Sequence, residues 1–277
     1  MLKQRILTAL ALLAVLLPAL FYPSPTPFCA VALVMISAAA WEWGRLNGSS
    51  AGASIGIAAV AVALCGLSWA NGLLARNLLQ VWIIAGAAWV LLGAWLLTAG
   101  VAGWQRIPRM VRLAGGVIAL WVAWLAIAHA RVLGINFLLS VLALVWAADI
   151  FAYFSGRAWG RRKLAPAISP GKSWEGVWGG MVGVVVLALA WAAADAHWKP
   201  GVASLYTHLQ NRGLGFLILG AVFLAAMSVV GDLVESLFKR SAGVKDSSGL
   251  LPGHGGVLDR VDALLPTLPL AMMLVSV

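Results

Sequence analysis

The feature that most constrains this chain is a series of long apolar segments separated by short polar ones. Each segment is close to the ~20 residues that a helix needs to cross a bilayer. With 62% hydrophobic and only 10% charged residues, the composition excludes a water-soluble core. We therefore predict an all-α polytopic integral membrane protein of about nine transmembrane helices, at residues 6–22, 28–44, 51–70, 78–99, 112–131, 135–154, 175–195, 213–236 and 258–277.

The positive charges predict how these segments are oriented. If the N-terminus is cytoplasmic, 14 of the 19 lysines and arginines fall in cytoplasmic segments and only four on the opposite side. This bias is typical of membrane proteins, and it puts the polar loops 155–174 and 237–256 together on the cytoplasmic face. Because the net charge of +10 lies mostly in short gaps between apolar segments, it indicates anionic head groups or phosphates as partners and not nucleic acid.

The acidic residues divide the chain into two regions. We predict an N-terminal membrane region of about four helices at 1–110 and a C-terminal catalytic region of about five helices at 111–277. Outside the C-terminal group of acids lie only Glu42 and Asp195. We interpret Asp195 as an acid at a helix end whose carboxylate reaches water. For Glu42 this interpretation and a functional role both stay open. The C-terminal group consists of Asp149, Glu175, Asp232, Glu235, Asp246, Asp259 and Asp262.

Two pairs of acids in that group flank the second polar loop. Asp232, Glu235 and Ser236 fall on one helical face at i, i+3 and i+4, and Asp259 and Asp262 repeat the three-residue spacing at the next apolar run. A carboxylate in mid-membrane costs at least about 2.5–3.5 kcal/mol, so like-charged pairs are hard to tolerate there without a cation. Two carboxylate-bearing helix ends beside a basic, glycine-rich loop predict a site for a divalent cation and a polyphosphate.

The first polar loop offers a second set of cations. Its Gly171-Lys172-Ser173 resembles the end of a P-loop, but Pro166 stands where the first glycine belongs, so this interpretation fails. The loop is either an ordinary positively charged cytoplasmic loop or a clamp for phosphate groups. Small residues at a four-residue spacing follow it and predict close helix packing, at glycines 176 and 180 and at glycines 179 and 183.

The second polar loop contains a histidine among glycines, in Leu251-Pro252-Gly253-His254-Gly255-Gly256. Glycines let backbone N–H groups approach an anion closely, and the helix start that follows adds a favourable dipole. Three roles for His254 stay open: contact with phosphate, donation of a proton, or orientation of Asp259.

Two strings of residues carry a resemblance to a known family. Ser236-x-x-Lys239-Arg240-x4-Lys245-Asp246, followed by Leu251-Pro252-Gly253-His254-Gly255-Gly256-x-x-Asp259-Arg260-x-Asp262, resembles the signature of the phosphatidate cytidylyltransferases. The upstream segment from Asp149 to Gly180, which contains Ser169-Pro170-x-Lys172-Ser173-x-Glu175-Gly176, is also similar to that family. The likeness covers the C-terminal half, since the first hundred residues match only in being apolar.

This resemblance implies transfer of CMP from CTP to phosphatidic acid, giving CDP-diacylglycerol and pyrophosphate, with one or two Mg²⁺ ions. It implies Asp232 and Asp259 as metal ligands, with Asp262 and Glu235 either as further ligands or as residues that orient the ligands. The remaining candidate catalytic residues are Lys172, Ser173, Lys239, Arg240, Lys245, Asp246, His254 and Arg260, of which most would hold phosphates. The expected setting is the bacterial inner membrane, with the site cytoplasmic, membrane lipids as partners and a homodimer as the oligomeric state.

Two other functions are compatible with parts of the pattern. An ion-coupled transporter would carry intramembrane carboxylates and broken helices, but it would not need a basic glycine-rich loop. A CTP-dependent lipid-alcohol kinase would differ by attack on the γ-phosphorus instead of the α-phosphorus.

Overall fold

The computed structural model describes residues 2–276, which are almost entirely helical. A short antiparallel hairpin interrupts the helices in the first polar loop. In chain order the elements are α1 (Leu2–Phe21), α2 (Thr26–Leu46), α3 (Ala51–Ala70), α4 (Leu79–Arg106), α5 (Arg109–Leu133), α6 (Ile135–Trp159), β1 (Lys163–Ala165), β2 (Ser169–Ser173), α7 (Trp174–Trp198), α8 (Leu205–Gln210), α9 (Leu214–Ser241), α10 (Leu258–Val261) and α11 (Leu264–Ser276).

Eight helices in residues 2–276 are long and apolar enough to cross a membrane, namely α1 to α7 and α9. They coincide with the first eight predicted segments, which confirms the all-α polytopic class. Helix α9 runs on to Ser241, past the predicted end at residue 236. Its last turn carries Lys239 and Arg240, and cations are favourable there because the C-terminal end of a helix is partially negative.

The ninth predicted segment, 258–277, does not form a ninth long helix in the described residues. It divides into the four-residue α10 and the 13-residue α11. A helix of that length spans about 20 Å, less than the ~30 Å hydrocarbon core. The helix nevertheless reaches the far end of the bundle, where Arg212 donates to the carbonyl of Leu274. It can do so because α11 starts deep, beside Gly231 inside α9, where a Cβ would lie 2.5 Å from the carbonyl oxygen of Asp262.

Helices α6 and α7 pack closely at the predicted glycines. A Cβ at Gly176 would lie 2.9 Å from the carbonyl oxygen of Ala152, and a Cβ at Gly180 would lie 2.8 Å from that of Ala148. Glycine is required at both positions because any side chain would push the two backbones apart. This tight contact fixes the start of α7, and with it the end of the hairpin.

Both strongly polar loops lie at the same end of the bundle, as predicted. We call this end, with the connections 160–173 and 242–263, the polar face. Its loops are joined to α1, α2 and α9 by side-chain contacts: Lys172 to Asp232, Arg240 to the carbonyl of Ile168, Thr8 to that of Pro252, and Glu42 to Ser247 and Ser248. The N-terminal end of α1 is therefore on the polar face.

The opposite face is organised by a different acid. Asp195 near the end of α7 accepts hydrogen bonds from Asn136, Ser204 and Thr207, so it holds the start of α8 in place. It is a structural residue and not a solvated helix end. The division of the chain at residue 110 stays a prediction; α2 packs against α5, and α4 against α9 and α11, so the two regions share one core.

Candidate active site

The hairpin β1–β2 positions Lys172, the first cationic side chain of the site. Its strands pair antiparallel, with Lys163 opposite Ser173, and Lys172 occupies the position just before the turn into α7. The hydroxyl of Ser173 accepts a hydrogen bond from the backbone N–H of Gly176 at 3.2 Å and so caps α7. Ser173 is buried, and its role here is to fix the hairpin on the helix that follows.

Lys172 forms an ion pair with Asp232 of α9, with 2.5 Å between Nζ and Oδ2. Ser236, one turn further along α9, donates to the other carboxylate oxygen at 3.3 Å. Asp149 of α6 and Asp262 also lie within electrostatic range of Asp232 and Lys172. The two polar loops thus meet at a group of three carboxylates and one lysine.

A second ion-pair group lies further along α9. The Nζ atom of Lys239 lies 2.5 Å from Oε2 of Glu235 and 2.6 Å from Oδ1 of Asp259, and only 11% of the lysine side chain is exposed. One buried ammonium therefore lies between two buried carboxyl groups and pairs with both. Removing one partner of a buried ion group costs about 3–5 kcal/mol, so this group stabilises the fold only while it is complete.

Asp259 also organises the second polar loop. Its Oδ2 atom accepts from the backbone N–H of Ser247 at 2.9 Å, from the Ser247 hydroxyl at 2.9 Å and from the backbone N–H of Gly256 at 2.7 Å. Burial alone would raise the pKa of Asp259, but the hydrogen bonds from Lys239 and from the two backbone amides hold this pKa below its ordinary value. The carboxylate is therefore ionised at neutral pH.

Glu42 of α2 is a completely buried acid that binds the same loop. Its carboxylate accepts from the hydroxyls of Ser247 at 3.1 Å and Ser248 at 2.5 Å, and from the backbone N–H groups of Val257 at 2.9 Å and Leu258 at 2.7 Å. The interpretation of Glu42 as a helix-end acid that reaches water is therefore wrong. Through these hydrogen bonds, Glu42 connects helix α2 to the second polar loop, which Asp259 also binds.

The remaining cations surround these groups on the polar face. Arg260 donates to the backbone carbonyl of His254 at 3.0 and 2.7 Å, and Arg240 donates to the carbonyls of Ile168 and Val244 at 3.3 and 3.1 Å. Both guanidinium groups are exposed and keep further donors free for an anion. The two arginines therefore shape the loops and still present positive charge to a ligand.

Three other predicted residues lie in or beside the same loop. Lys245 and Asp246 are exposed, and His254 is half-buried. The left-handed backbone of Gly253 (φ +77°) and Gly255 (φ +81°) makes the tight turn on either side of the histidine. All eight predicted catalytic residues thus lie at the polar face or in the adjoining end of α9, and the roles of Lys245, Asp246 and His254 stay predictions.

The four predicted metal ligands do not form one cluster. Glu235 and Asp259 are both engaged by Lys239, whereas Asp232 faces Lys172 with Asp262 nearby. In residues 2–276, no three His, Cys, Asp or Glu side chains lie close enough to hold a metal ion among themselves. Mg²⁺ is commonly held by one or two carboxylates together with substrate phosphates, and the Asp232–Asp262 side of the site fits that donor set.

Two residues of the site were not among the predicted ones. Asp149 carried a signal, because a carboxylate in a predicted span demands a partner in the bundle. Glu42, in the predicted span 28–44, carried the same signal but no indication of its partner, because Ser247 lies 205 residues further along the chain. Only the packing of α2 against α10 shows that Glu42 belongs to this site.

Fold and site together define a polytopic membrane protein in which carboxylates and cations gather at one end of a helical bundle. Comparison with known proteins identifies the family. The profile of the cytidylyltransferase family matches residues 3–277. The chain belongs to this family, and it is a membrane-bound nucleotidyltransferase. The resemblance seen in the C-terminal motifs is thereby confirmed over almost the whole length.

Three relatives illustrate the similarity. The chain is 41% identical to the phosphatidate cytidylyltransferase of Pseudomonas aeruginosa, over 97% of this chain and 95% of the relative. It is 36% identical to the enzyme of the same name from Haemophilus influenzae, over 97% and 96%. With that of Brucella abortus the identity is 46%, but over 48% of this chain and 44% of the relative.

Proposed function

We propose that this protein transfers CMP from CTP to phosphatidic acid and so produces CDP-diacylglycerol and pyrophosphate. The observation that carries the proposal is the ion pair between Lys172 of the first polar loop and Asp232 of α9, the helix that leads into the second polar loop, in a chain that matches phosphatidate cytidylyltransferases over nearly its whole length. A site at the end of a membrane bundle suits a reaction between a water-soluble nucleotide and a membrane lipid.

The reaction needs positioning and charge neutralisation more than a protein nucleophile. An oxygen of the lipid phosphate attacks the α-phosphorus of CTP, a new P–O bond forms, and the bond from the α-phosphorus to the bridging oxygen breaks, so pyrophosphate leaves with the electron pair. Both reactants are anions, and their approach is favoured where fixed cations offset the charge. No side chain has to be ionised for the attack, because the lipid phosphate is already an anion.

The exposure of each cationic side chain decides whether it can contact phosphate or instead stabilises the fold. Lys172, Arg240, Lys245 and Arg260 can reach phosphate oxygens from the polar face, since their side chains are exposed or half-buried. Lys239 is held between Glu235 and Asp259, so its main effect is to keep α9 and the loop in register. Asp232 and Asp262 would hold Mg²⁺, which when bound neutralises phosphate charge and polarises the phosphoryl group.

The setting that fits this chemistry is a bacterial inner membrane with the polar face in the cytoplasm, where CTP is available. The charge bias of the connecting loops and the bacterial relatives support this orientation. Contacts with membrane lipids and association into a homodimer stay predictions.

CTP labelled at a single phosphate tests the reaction. The purified protein is mixed in detergent micelles with phosphatidic acid, Mg²⁺ and CTP that carries ³²P at either the α or the γ position. We expect the α label in the lipid product and the γ label in pyrophosphate. Appearance of the γ label in a lipid would instead show a kinase. Absence of label from lipid in both reactions would contradict nucleotidyl transfer.

A further inference from the structure

We propose that a cavity between α4 and α5 binds an acyl chain of the lipid substrate, an inference that rests on the proposed function. The cavity has a volume of about 750 Å³ and is bounded by α2, α4, α5, α9, α10 and α11. Sites for small ligands commonly have about 300–1,000 Å³. Its lining is apolar apart from Arg112 and Glu235, so the ligand that it suits is a hydrocarbon chain with a charged end.

The cavity is open to the outer surface of the bundle. Ile84 and Leu92 of α4 and Ile118 of α5 contribute to its lining and are 70%, 58% and 54% exposed. The outer surface of a membrane bundle faces lipid, so a chain can enter sideways from the bilayer without passing through water. A lipid substrate can therefore enter with its tail in the cavity while its head group points to the polar face.

The cavity runs along most of α4, from Val81 to Trp104, and is shorter beside α5. On α5 its lining runs from Val111 and Arg112 at the polar face to Val122. The ten residues from Arg112 to Val122 rise about 15 Å along the helix, which is half of the ~30 Å hydrocarbon core. An acyl chain that enters from the polar face and stays in one leaflet fits the part of the cavity beside α5.

The inner wall of the cavity joins the candidate active site. Gly231, Glu235 and Leu258 line it, and these residues are direct neighbours in sequence of Asp232, Ser236 and Asp259. Glu235 is 3% exposed, and its Oε1 atom has no hydrogen-bond partner in the part of the chain that the structure describes. A ligand seated in the cavity therefore has its polar end next to the ion pairs of α9.

Arg112 marks the end of the cavity at which a phosphate would lie. Its guanidinium stands 5.5 Å from the ring centre of Trp104, and its buried Nε atom has no hydrogen-bond partner within residues 2–276. Trp104 in turn packs on Phe238 of α9, with 4.2 Å between ring centres. An arginine held by stacking at the polar end of an apolar cavity complements the charge of a phospholipid head group.

Filling the cavity tests this assignment. Gly115 of α5 lines the cavity, and a Cβ there would meet nothing within 4 Å, so Gly115→Phe adds a ring without a clash. Replacing a glycine inside a helix also favours folding. Gly56→Phe in α3 is the matched control, because Gly56 has equally open space and does not line the cavity. Ala88→Trp fills the cavity from α4 as a second variant.

The measurement is kcat/KM for dioleoyl and for dihexanoyl phosphatidic acid, together with KM for CTP. We expect Gly115→Phe and Ala88→Trp to lower kcat/KM for the long-chain lipid about tenfold or more, and that for the short-chain lipid by less than about twofold. For Gly115→Phe and Ala88→Trp, KM for CTP should equal that of the wild type. For Gly56→Phe, kcat/KM for both lipids should also equal the wild-type values.

An equal loss with both lipids would overturn the proposal, because it would report a general defect of the site. Unchanged kinetics with both lipids would overturn it as well, and would mean that the cavity holds only bulk membrane lipid. Failure of the proposed function itself is distinguishable, since the wild type would then form no CDP-diacylglycerol from either lipid.

Discussion

Lys172 and Asp232 stand 60 residues apart in the chain and form an ion pair that joins the first polar loop to α9. Their side chains are 26% and 28% exposed, and an ion pair of that exposure contributes about 1 kcal/mol or less to stability. Neutralising Asp232 should therefore separate function from folding. Neutralising Asp259 would not separate the two effects, because Asp259 also accepts hydrogen bonds from Lys239 and from the backbone of the second polar loop.

We expect Asp232→Asn to lower kcat/KM for CTP by about 10²- to 10³-fold, because a ligand for Mg²⁺ at the reacting phosphates contributes several kcal/mol to the transition state. The measurement is cytidylyl transfer at saturating phosphatidic acid over a range of Mg²⁺ concentrations. Melting temperature and membrane insertion should stay close to those of the wild type. Asp195→Asn, on the opposite face, is the control and should keep full activity. Wild-type transfer by Asp232→Asn at limiting Mg²⁺ would refute the role of Asp232 as a ligand.

Helix α2 holds the second polar loop through a single buried side chain. Four donors converge on Glu42, and two of them are backbone N–H groups at the start of α10. A carboxylate can accept all four hydrogen bonds, whereas an amide turns its own N–H₂ group toward some of those donors. The loop therefore depends on the charge and not only on the shape of residue 42.

Glu42→Gln should destabilise the protein by about 3 kcal/mol, since buried donors would lose their acceptor. Thermal unfolding in detergent, followed by tryptophan fluorescence, is the measurement. Ser248→Ala removes one hydrogen bond to the same carboxylate and serves as a graded control, with an expected loss of about 1 kcal/mol. If Glu42→Gln had the same melting temperature as the wild type, the second polar loop would be held by other contacts.

At the scale of the whole molecule, both polar loops, the N-terminal end of α1 and the connection between α4 and α5 lie on one face, where Gln105 at the end of α4 donates to the carbonyl of Ser241. Since 14 of 19 cations fall on the segments predicted to share this face, we expect it to be cytoplasmic. The two native cysteines, Cys29 and Cys65, are buried and should not interfere with labelling from either side.

Single cysteines introduced at Lys163, Lys245 and Gly201 test this orientation, because all three residues are exposed. A membrane-impermeant maleimide should label positions 163 and 245 only in inverted vesicles, and position 201 only in intact cells. Labelling of 163 and 245 from opposite sides would contradict a shared site. Labelling of all three in the reverse pattern would contradict the cytoplasmic assignment.

Sequence alone determined the membrane class, eight helices, the glycine contacts between α6 and α7, and the gathering of the candidate site residues in two polar loops. These follow from properties that are local in the chain, namely apolar length, small-residue spacing and the clustering of charge. Only the tertiary structure decided that Lys239 forms ion pairs with Glu235 and Asp259. It also decided that Glu42 accepts hydrogen bonds from the second polar loop and that α11 starts inside the bundle beside Gly231. Each of these depends on which side chains meet after packing, and a buried charge takes whichever partner the fold brings within hydrogen-bond distance.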